Sequence, residues 1–188
     1  MSLFSQWRAA ACLTLGLLAG AGAQAQATFT PPAFSNVAVH DPAIVRANGQ
    51  FYVFGSHLAA ARSPDLMRWT GIASGVNAGN PLFNNVTVEL GEALAWAQTD
   101  TLWAPDVIRL ADGKYYMYYN ACKGDSPRSA LGVAVADRIE GPYVNQGIFL
   151  KSGMWGLPSE DGTVYDARKH PNTVDPSVFF DTATRGSK

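Results

Sequence analysis

Short runs of apolar and aromatic residues alternate along the chain with Gly, Asn and Asp turns, and they recur in one order. Three segments share this order: "HDPAIVRANGQFYVFGS", "WAPDVIRLADGKYYMYYN" and "TVDPSVFFDTATRGSK". Each contains a proline, continues as a short apolar strand and reaches a turn; in the first two an aromatic strand follows the turn. Two strands joined by such a turn form a β-hairpin.

The spacing of these hairpins predicts the fold class. Pro42, Pro105 and Pro176 lie 63 and 71 residues apart, and a more polar strand can be placed after each complete hairpin, in "LAAARSPDLMRWT" and "SALGVAVADRIEGPY". Repeats of this size, built only of short strands, indicate an all-β protein: a β-propeller with one four-stranded sheet per blade. Because the chain stops at the turn of its third repeat, residues 28–188 are predicted to hold about two blades and the start of a third, as the N-terminal part of a truncated propeller domain.

The first 27 residues have the pattern of an export signal. A basic residue, Arg8, precedes the apolar stretch "AAACLTLGLLAGAG", which is too short to span a bilayer. "AQAQA" then offers small-residue cleavage sites after Ala25 or Ala27. A buried N-terminal helix is the alternative interpretation. We therefore expect a secreted or periplasmic protein, without a membrane-spanning segment in the remainder of the chain.

Charge and composition narrow the choice of partner and cofactor. Without the predicted signal, 13 basic residues stand against 15 acidic ones, with no clustered basic face for nucleic acid. Cys12 would be removed with the signal, and the remaining Cys122 has no partner for an internal disulfide, so it is predicted to be a small buried group. His40, His57 and His170 lack metal-ligand spacing, so the sequence requires no cofactor.

Two aspartates stand at equivalent places in the repeats. When the repeats are aligned on their prolines, Asp41 and Asp175 coincide, whereas the second repeat has Ala104 there. The residue that opens the innermost strand of a blade faces the central channel, so these two carboxylates should converge although 134 residues separate them. Pro42 and Pro176 are expected to bias the preceding aspartate toward an extended backbone.

These aspartates have two interpretations. A single Asp-Pro at the entry of a strand is usually a turn cap. A purely structural residue would be expected in every repeat, however, and the second repeat lacks it. Paired carboxylates in an open funnel of a weakly charged protein suggest glycoside hydrolysis.

Four segments together resemble one enzyme family: "FYVFGSHLAAARSPDLMRW", "WAPDVIRLADGKYYMYY", "PRSALGVAVADRIEGPY" and "HPNTVDPSVFFD". They are similar to glycoside hydrolase family 43, and most of all to its secreted endo-α-1,5-L-arabinanases, over about residues 36–181. The resemblance implies a five-bladed β-propeller. It also implies an inverting mechanism with a carboxylate base, an acid, and a third carboxylate that tunes and orients the acid.

The resemblance assigns roles by position. Asp41 would be the general base, and Asp175 the third carboxylate, which raises the pKa of the acid by like-charge proximity. His40 would hydrogen-bond a sugar hydroxyl. Trp103 occupies the equivalent place in the second repeat and would form a platform for a sugar ring, with core packing as the alternative. The acid is expected to be a Glu beyond Lys188, so the chain alone should be inactive or nearly so.

Other acidic and aromatic residues fit the site less well. Glu140 is predicted to lie in the outer part of the second blade, and Glu160 and Asp161 in a loop between blades, so none is a good general acid. Asp106 is better interpreted as structural. Trp155 is a candidate ligand contact. Some arabinanases hold a calcium ion near the channel axis, with the ligand usually implicated in a later blade, outside this chain.

Two further interpretations stay open. The same scaffold would suit an exo-acting arabinofuranosidase or β-xylosidase, which would differ in the loops that close the funnel. A non-catalytic glycan-binding propeller is the alternative from another class. In each case the expected partner is a polysaccharide, arabinan or arabinoxylan.

Overall fold

The computed structural model describes most of the chain, as two antiparallel sheets and two short helices. The elements below belong to one compact unit that begins at Pro32. The described residues are 30–153, 158, 162–166, 168–170 and 172–181. The predicted export signal and the loop residues Trp155, Glu160 and Asp161 therefore lie outside the described residues.

The first sheet contains four strands that pair in chain order. They are β1 (Ala43–Ala47), β2 (Gln50–Gly55), β3 (Ala59–Ser63) and β4 (Thr70–Ala73). Asn48 and Gly49 join β1 to β2 with φ of 50° and 75°, which is the left-handed pair of a type I′ hairpin turn. A single 3₁₀ turn, Ser56–Leu58, joins β2 to β3.

The second sheet repeats this order with longer strands. They are β5 (Leu102–Arg109), β6 (Tyr115–Lys123), β7 (Ser126–Ala136) and β8 (Val144–Lys151). Along β6 the burial alternates, because Tyr115, Met117 and Tyr119 are buried while Tyr116 and Tyr118 are only partly covered. This period of two places one face of the sheet against the core.

Two helices lie between the sheets, where the strand pattern predicts only a loop. They are α1 (Val86–Glu89) and α2 (Gly91–Ala97). The Asn85 side chain caps α1 by accepting a hydrogen bond from the Val88 amide at 3.3 Å, and Glu89 Oε1 accepts from the Asn84 amide at 3.0 Å. The buried faces of both helices join the core formed by the two sheets.

The prediction of one four-stranded sheet per complete repeat is confirmed by these two sheets. The third repeat differs, because residues 172–181 form no strand. Val178 donates its amide to a side chain, Asp106 Oδ2 at 2.8 Å, and no backbone ladder pairs this segment within the described chain. Among the described residues, no helix is long and apolar enough to cross a membrane.

Candidate active site

The register of the first hairpin brings Asp41 opposite Ser56. The two-residue turn pairs Ala47 with Gln50, and the ladder continues to Ala43 opposite Phe54. The same register, extended by two residues, sets Asp41 against Ser56. The Ser56 amide indeed donates to the carbonyl of His40 at 2.9 Å, so the pairing persists beyond the strand ends.

One oxygen of the Asp41 carboxylate carries all its hydrogen bonds. Oδ2 accepts from Ser56 Oγ at 2.8 Å and lies 2.6 Å from His40 Nδ1. Within the described part of the chain, no donor is recorded at Oδ1. The Asp41 side chain is 45% exposed and that of His40 80%, so the carboxylate is open to water and to a ligand.

These contacts keep Asp41 ionised. The hydrogen bond from Ser56 is the main cause that lowers the pKa of Asp41 below its usual value. Partial burial opposes this shift, while the hydrogen bond and charge of His40 and the charge of His57 add to it. A carboxylate held in its charged form is a proton acceptor, as the role predicted for Asp41 requires.

The backbone at the three repeat positions corrects one expectation. Asp41, Ala104 and Asp175 have φ of 48°, 27° and 54°, so all three are left-handed rather than extended. Proline disfavours the right-handed α region for the preceding residue, but it does not determine the sign of φ here. In β5 the turn occurs where the register shifts between Trp103 and Asp106, as in a β-bulge, which re-aims side chains.

Ser56 also connects the two sheets at this end. Its hydroxyl accepts a hydrogen bond from the Ala104 amide at 3.0 Å, in addition to donating to Asp41. The strand-opening position of the second repeat therefore lies one hydroxyl group away from the carboxylate of the first. The predicted equivalence of these positions is borne out in backbone geometry and in space.

Trp103 and His40 line two neighbouring depressions in the surface. The depression at Trp103 has a volume of about 720 Å³ and includes His57 and Thr101. The depression at His40 has a volume of about 470 Å³ and includes Ser56 and His57. His57 is thus shared by both, and its Nδ1 is hydrogen-bonded to Thr101 Oγ1. The partly buried Trp103 is placed where a sugar platform would need it, and its binding role stays a prediction.

Asp175 lies at the same end of the second sheet. It is exposed, and its charge, together with the larger effect of burial, raises the pKa of the Cys122 thiol near the end of β6. Thr173 holds the segment in place, because its amide donates to Ser129 Oγ at 2.9 Å. No hydrogen bond between Asp41 and Asp175 is present in the described structure, so their predicted convergence stays a prediction.

Two other acidic residues are structural. Asp106 accepts from the Val107 amide through Oδ1 and from the Val178 amide through Oδ2, both at 2.8 Å, so it anchors the third repeat. Glu140 pairs with Arg62 at 2.9 Å and lines a depression with Asn48, the turn at the opposite end of the first sheet. Glu140 is therefore remote from Asp41, as predicted.

The sequence analysis did not identify Ser56 or His57 as site residues. The Asn48-Gly49 turn contained the information, because a two-residue hairpin fixes which residue opposes Asp41. Among the described residues, no three His, Cys, Asp or Glu side chains are grouped so that they could hold a metal ion. The expected calcium stays untested, because its ligands are predicted outside this chain.

Repeated four-stranded antiparallel sheets, with an ionised carboxylate and binding depressions at one shared end, define an all-β protein of the propeller type. A family model described as "Glycosyl hydrolases family 43" matches residues 31–186. The chain belongs to this family, as its motifs suggested.

Named relatives support the same assignment. The chain is 68% identical over 150 residues to extracellular endo-α-(1→5)-L-arabinanase 2 of Bacillus subtilis, covering 80% of this chain and 32% of the relative. It is 51% identical over 154 residues to extracellular endo-α-(1→5)-L-arabinanase of Thermotoga petrophila, covering 80% and 33%.

Solved structures are similar in fold. The crystal structure of the glycoside hydrolase family 43 YxiA protein from Bacillus licheniformis matches with a TM-score of 0.75 and 69% identity, over 81% of this chain and 34% of that one. The endo-1,5-α-L-arabinanase of Thermotoga petrophila matches with a TM-score of 0.74 and 50% identity, over 81% and 35%. The chain thus spans about a third of the length of these relatives.

Proposed function

We propose that the chain is part of an endo-acting arabinanase that hydrolyses α-1,5-arabinan with inversion of configuration. The named relatives with the highest identities given above are endo-arabinanases, which supports this substrate class. The observation that carries the proposal is the Asp41 carboxylate. It is ionised, held through one oxygen, and exposed at the end of the sheets beside two depressions.

In this proposal Asp41 is the general base. A water molecule beside Oδ1 attacks the anomeric carbon while Oδ1 accepts its proton, on the face of the sugar opposite the departing oxygen. Asp175 is the third carboxylate. Its negative charge raises the pKa of a neighbouring acid and so keeps that acid protonated for the leaving group.

The general acid is proposed to come from a part of the enzyme outside these 188 residues. Glu140, which was considered as a substitute, lies at the opposite end of the first sheet. The relatives are about three times as long as the matched segment, which leaves ample chain for a further carboxylic acid. The chain by itself is therefore proposed to have little or no turnover.

The binding surface is proposed to be formed by His40, His57 and Trp103. Imidazole groups donate hydrogen bonds to sugar hydroxyls, and an indole ring covers the apolar face of a furanose. Few charges line these depressions, which suits a neutral polysaccharide. The relatives named as extracellular agree with an exported enzyme, for which residues 1–27 are proposed to be the signal.

The test is Asp41→Asn in the complete protein that carries this chain, assayed on linear α-1,5-arabinan. We expect kcat to fall by about 10²–10⁴-fold while binding of arabino-oligosaccharide survives, because only the proton acceptor is lost. NMR of the first product formed by the parent should show the inverted anomer.

The matched control is Asp112→Asn. Asp112 also accepts two hydrogen bonds, from the Lys114 amide at 3.0 Å and Tyr116 Oη at 2.8 Å, but it lies at a turn remote from Asp41. This variant should keep the parental kcat. Equal turnover of Asp41→Asn and its parent would contradict the proposal. Binding without turnover in the parent would favour a glycan-binding propeller, and release of single sugars from chain ends would favour an exo-acting enzyme.

A further inference from the structure

Ser56 has a position that its predicted neighbours do not share. It is 3% exposed, whereas the side chains of His40 and Asp41 are open to solvent. It follows β2 directly, in the 3₁₀ turn that starts β3, and its hydroxyl touches both repeats. Its Oγ lies 2.8 Å from Asp41 Oδ2 and 3.0 Å from the Ala104 amide nitrogen.

The direction of both hydrogen bonds follows from chemistry. The amide of Ala104 can only donate, so Ser56 Oγ is its acceptor. The single proton of the hydroxyl is then free to point at Asp41, and an ionised carboxylate can only accept. A proton on Asp41 Oδ2 would face the hydroxyl proton. The arrangement therefore favours a charged Asp41 whose Oδ2 is occupied.

We propose that Ser56 is a positioning residue for the hydrolytic reaction: it fixes the Asp41 carboxylate through Oδ2 and leaves Oδ1 directed at the attacking water. This inference rests on the proposed function, because it assigns the base role to Asp41. The second sheet takes part, since the Ala104 amide sets the orientation of the hydroxyl.

Two other titratable groups face Asp41, and they differ from Ser56. His40 contacts the same oxygen at 2.6 Å, but its side chain is 80% exposed and adjoins Asp41 in sequence. His57 acts on Asp41 through its charge and is hydrogen-bonded to Thr101. Their influence depends on their own protonation. The Ser56 hydroxyl does not titrate, so its hydrogen bond acts over the whole working pH range.

The test compares Ser56→Ala with its parent in the complete protein. The midpoint of the Asp41 carboxyl titration is measured by ¹³C NMR without substrate, and Asp41→Asn identifies the signal. We expect the midpoint to move to higher pH in Ser56→Ala. The acid limb of kcat/KM should move in the same direction, and kcat should fall about tenfold with KM little changed, because proton transfer is affected and sugar binding is not.

Two further variants separate positioning from folding. Ser56→Thr keeps the hydroxyl and should restore the parental midpoint and most of kcat. Ser63→Ala removes another buried serine of the same sheet, whose hydroxyl donates to Asp65 Oδ1 at 3.2 Å, and should leave both readouts unchanged. If Ser56→Ala fails to fold, Ser56→Cys replaces it, because a thiol keeps the shape but donates weakly.

The outcomes are distinct. An unchanged Asp41 midpoint in Ser56→Ala or Ser56→Cys would overturn the proposal, as would an equal shift in Ser63→Ala. If Asp41→Asn keeps full turnover, the base assignment fails with the proposed function. A moved midpoint would then confirm only the hydrogen bond, and the positioning role in catalysis would be overturned.

Discussion

Gly132 lies in β7 where a side chain has no room, so alanine at this position should destabilise the protein. A Cβ atom there would clash with the hydroxyl and Cζ of Tyr119 and lie 2.9 Å from the carbonyl oxygen of Gly147. The Tyr119 ring is fully buried, and its hydroxyl donates to Asn145 Oδ1 at 2.7 Å. Asn145 in turn donates to the carbonyl of Glu89 at 2.7 Å, which ties α1 to the sheet.

The size of the effect follows from three contributions. Overpacking of a well-filled core costs about 1–3 kcal/mol. Displacement of the Tyr119 hydroxyl from Asn145 adds about 1 kcal/mol for a buried hydrogen bond. The lower entropy of the unfolded chain with alanine returns up to about 1 kcal/mol. The expected loss in the free energy of unfolding is therefore about 2–3 kcal/mol, or roughly 4–12 °C in Tm.

Urea unfolding followed by tryptophan fluorescence measures this loss, with Gly71→Ala as the control. Gly71 lies in the edge strand β4, and a Cβ atom there would meet nothing within 4 Å. Both variants lower the entropy of the unfolded chain equally, so their difference isolates the clash at Tyr119. Gly71→Ala should match or slightly exceed the parental stability. Equal midpoints for the two variants would refute the packing described for the second sheet.

Two other predictions concern acid stability and the sugar platform. Asp65 accepts from the amides of Met67 and Arg68, and these and other hydrogen bonds lower its pKa to about 2. Its contribution is present above its unfolded pKa and is lost as the pH falls toward 2, so Asp65→Asn should lower the urea midpoint at pH 7 and flatten its decline between pH 4 and pH 2; parallel curves would contradict this. Trp103→Ala should raise KM for arabinan about tenfold with a smaller change in kcat, and Trp103→Phe should recover most of it; an unchanged KM with lower stability would favour core packing.

The sheets could be predicted from the sequence because their determinants are local. Turn residues such as Asn48 and Gly49 and the alternation along β6 recur at each hairpin, so the repeat is visible without any long-range information. The helices α1 and α2 escaped because each is short. Their signals, Asn85 as a cap and Glu89 behind it, are local too, but a search for strand repeats does not weigh them.

The candidate site was predictable only in part. Asp41 stands out because its position recurs in the third repeat, and Ser56 follows from the hairpin register once that register is written out. The hydrogen bond between Ser56 and the Ala104 amide spans 48 residues and depends on how two sheets pack. No local pattern encodes such a contact. The left-handed backbone at Asp41 was also predicted wrongly, because the preference imposed by a following proline is statistical.

That backbone bears on whether the aspartates are structural or functional. Ala104 adopts the same left-handed conformation before a proline as Asp41 and Asp175, with φ of 27° against 48° and 54°. Aspartate tolerates this region better than alanine, so a turn that needed aspartate for its shape would be least expected to carry alanine. The second repeat nevertheless forms the turn without a carboxylate. The conformation therefore belongs to the repeat, while the carboxylates of Asp41 and Asp175 need a separate explanation, and a reaction at the shared end of the sheets supplies one.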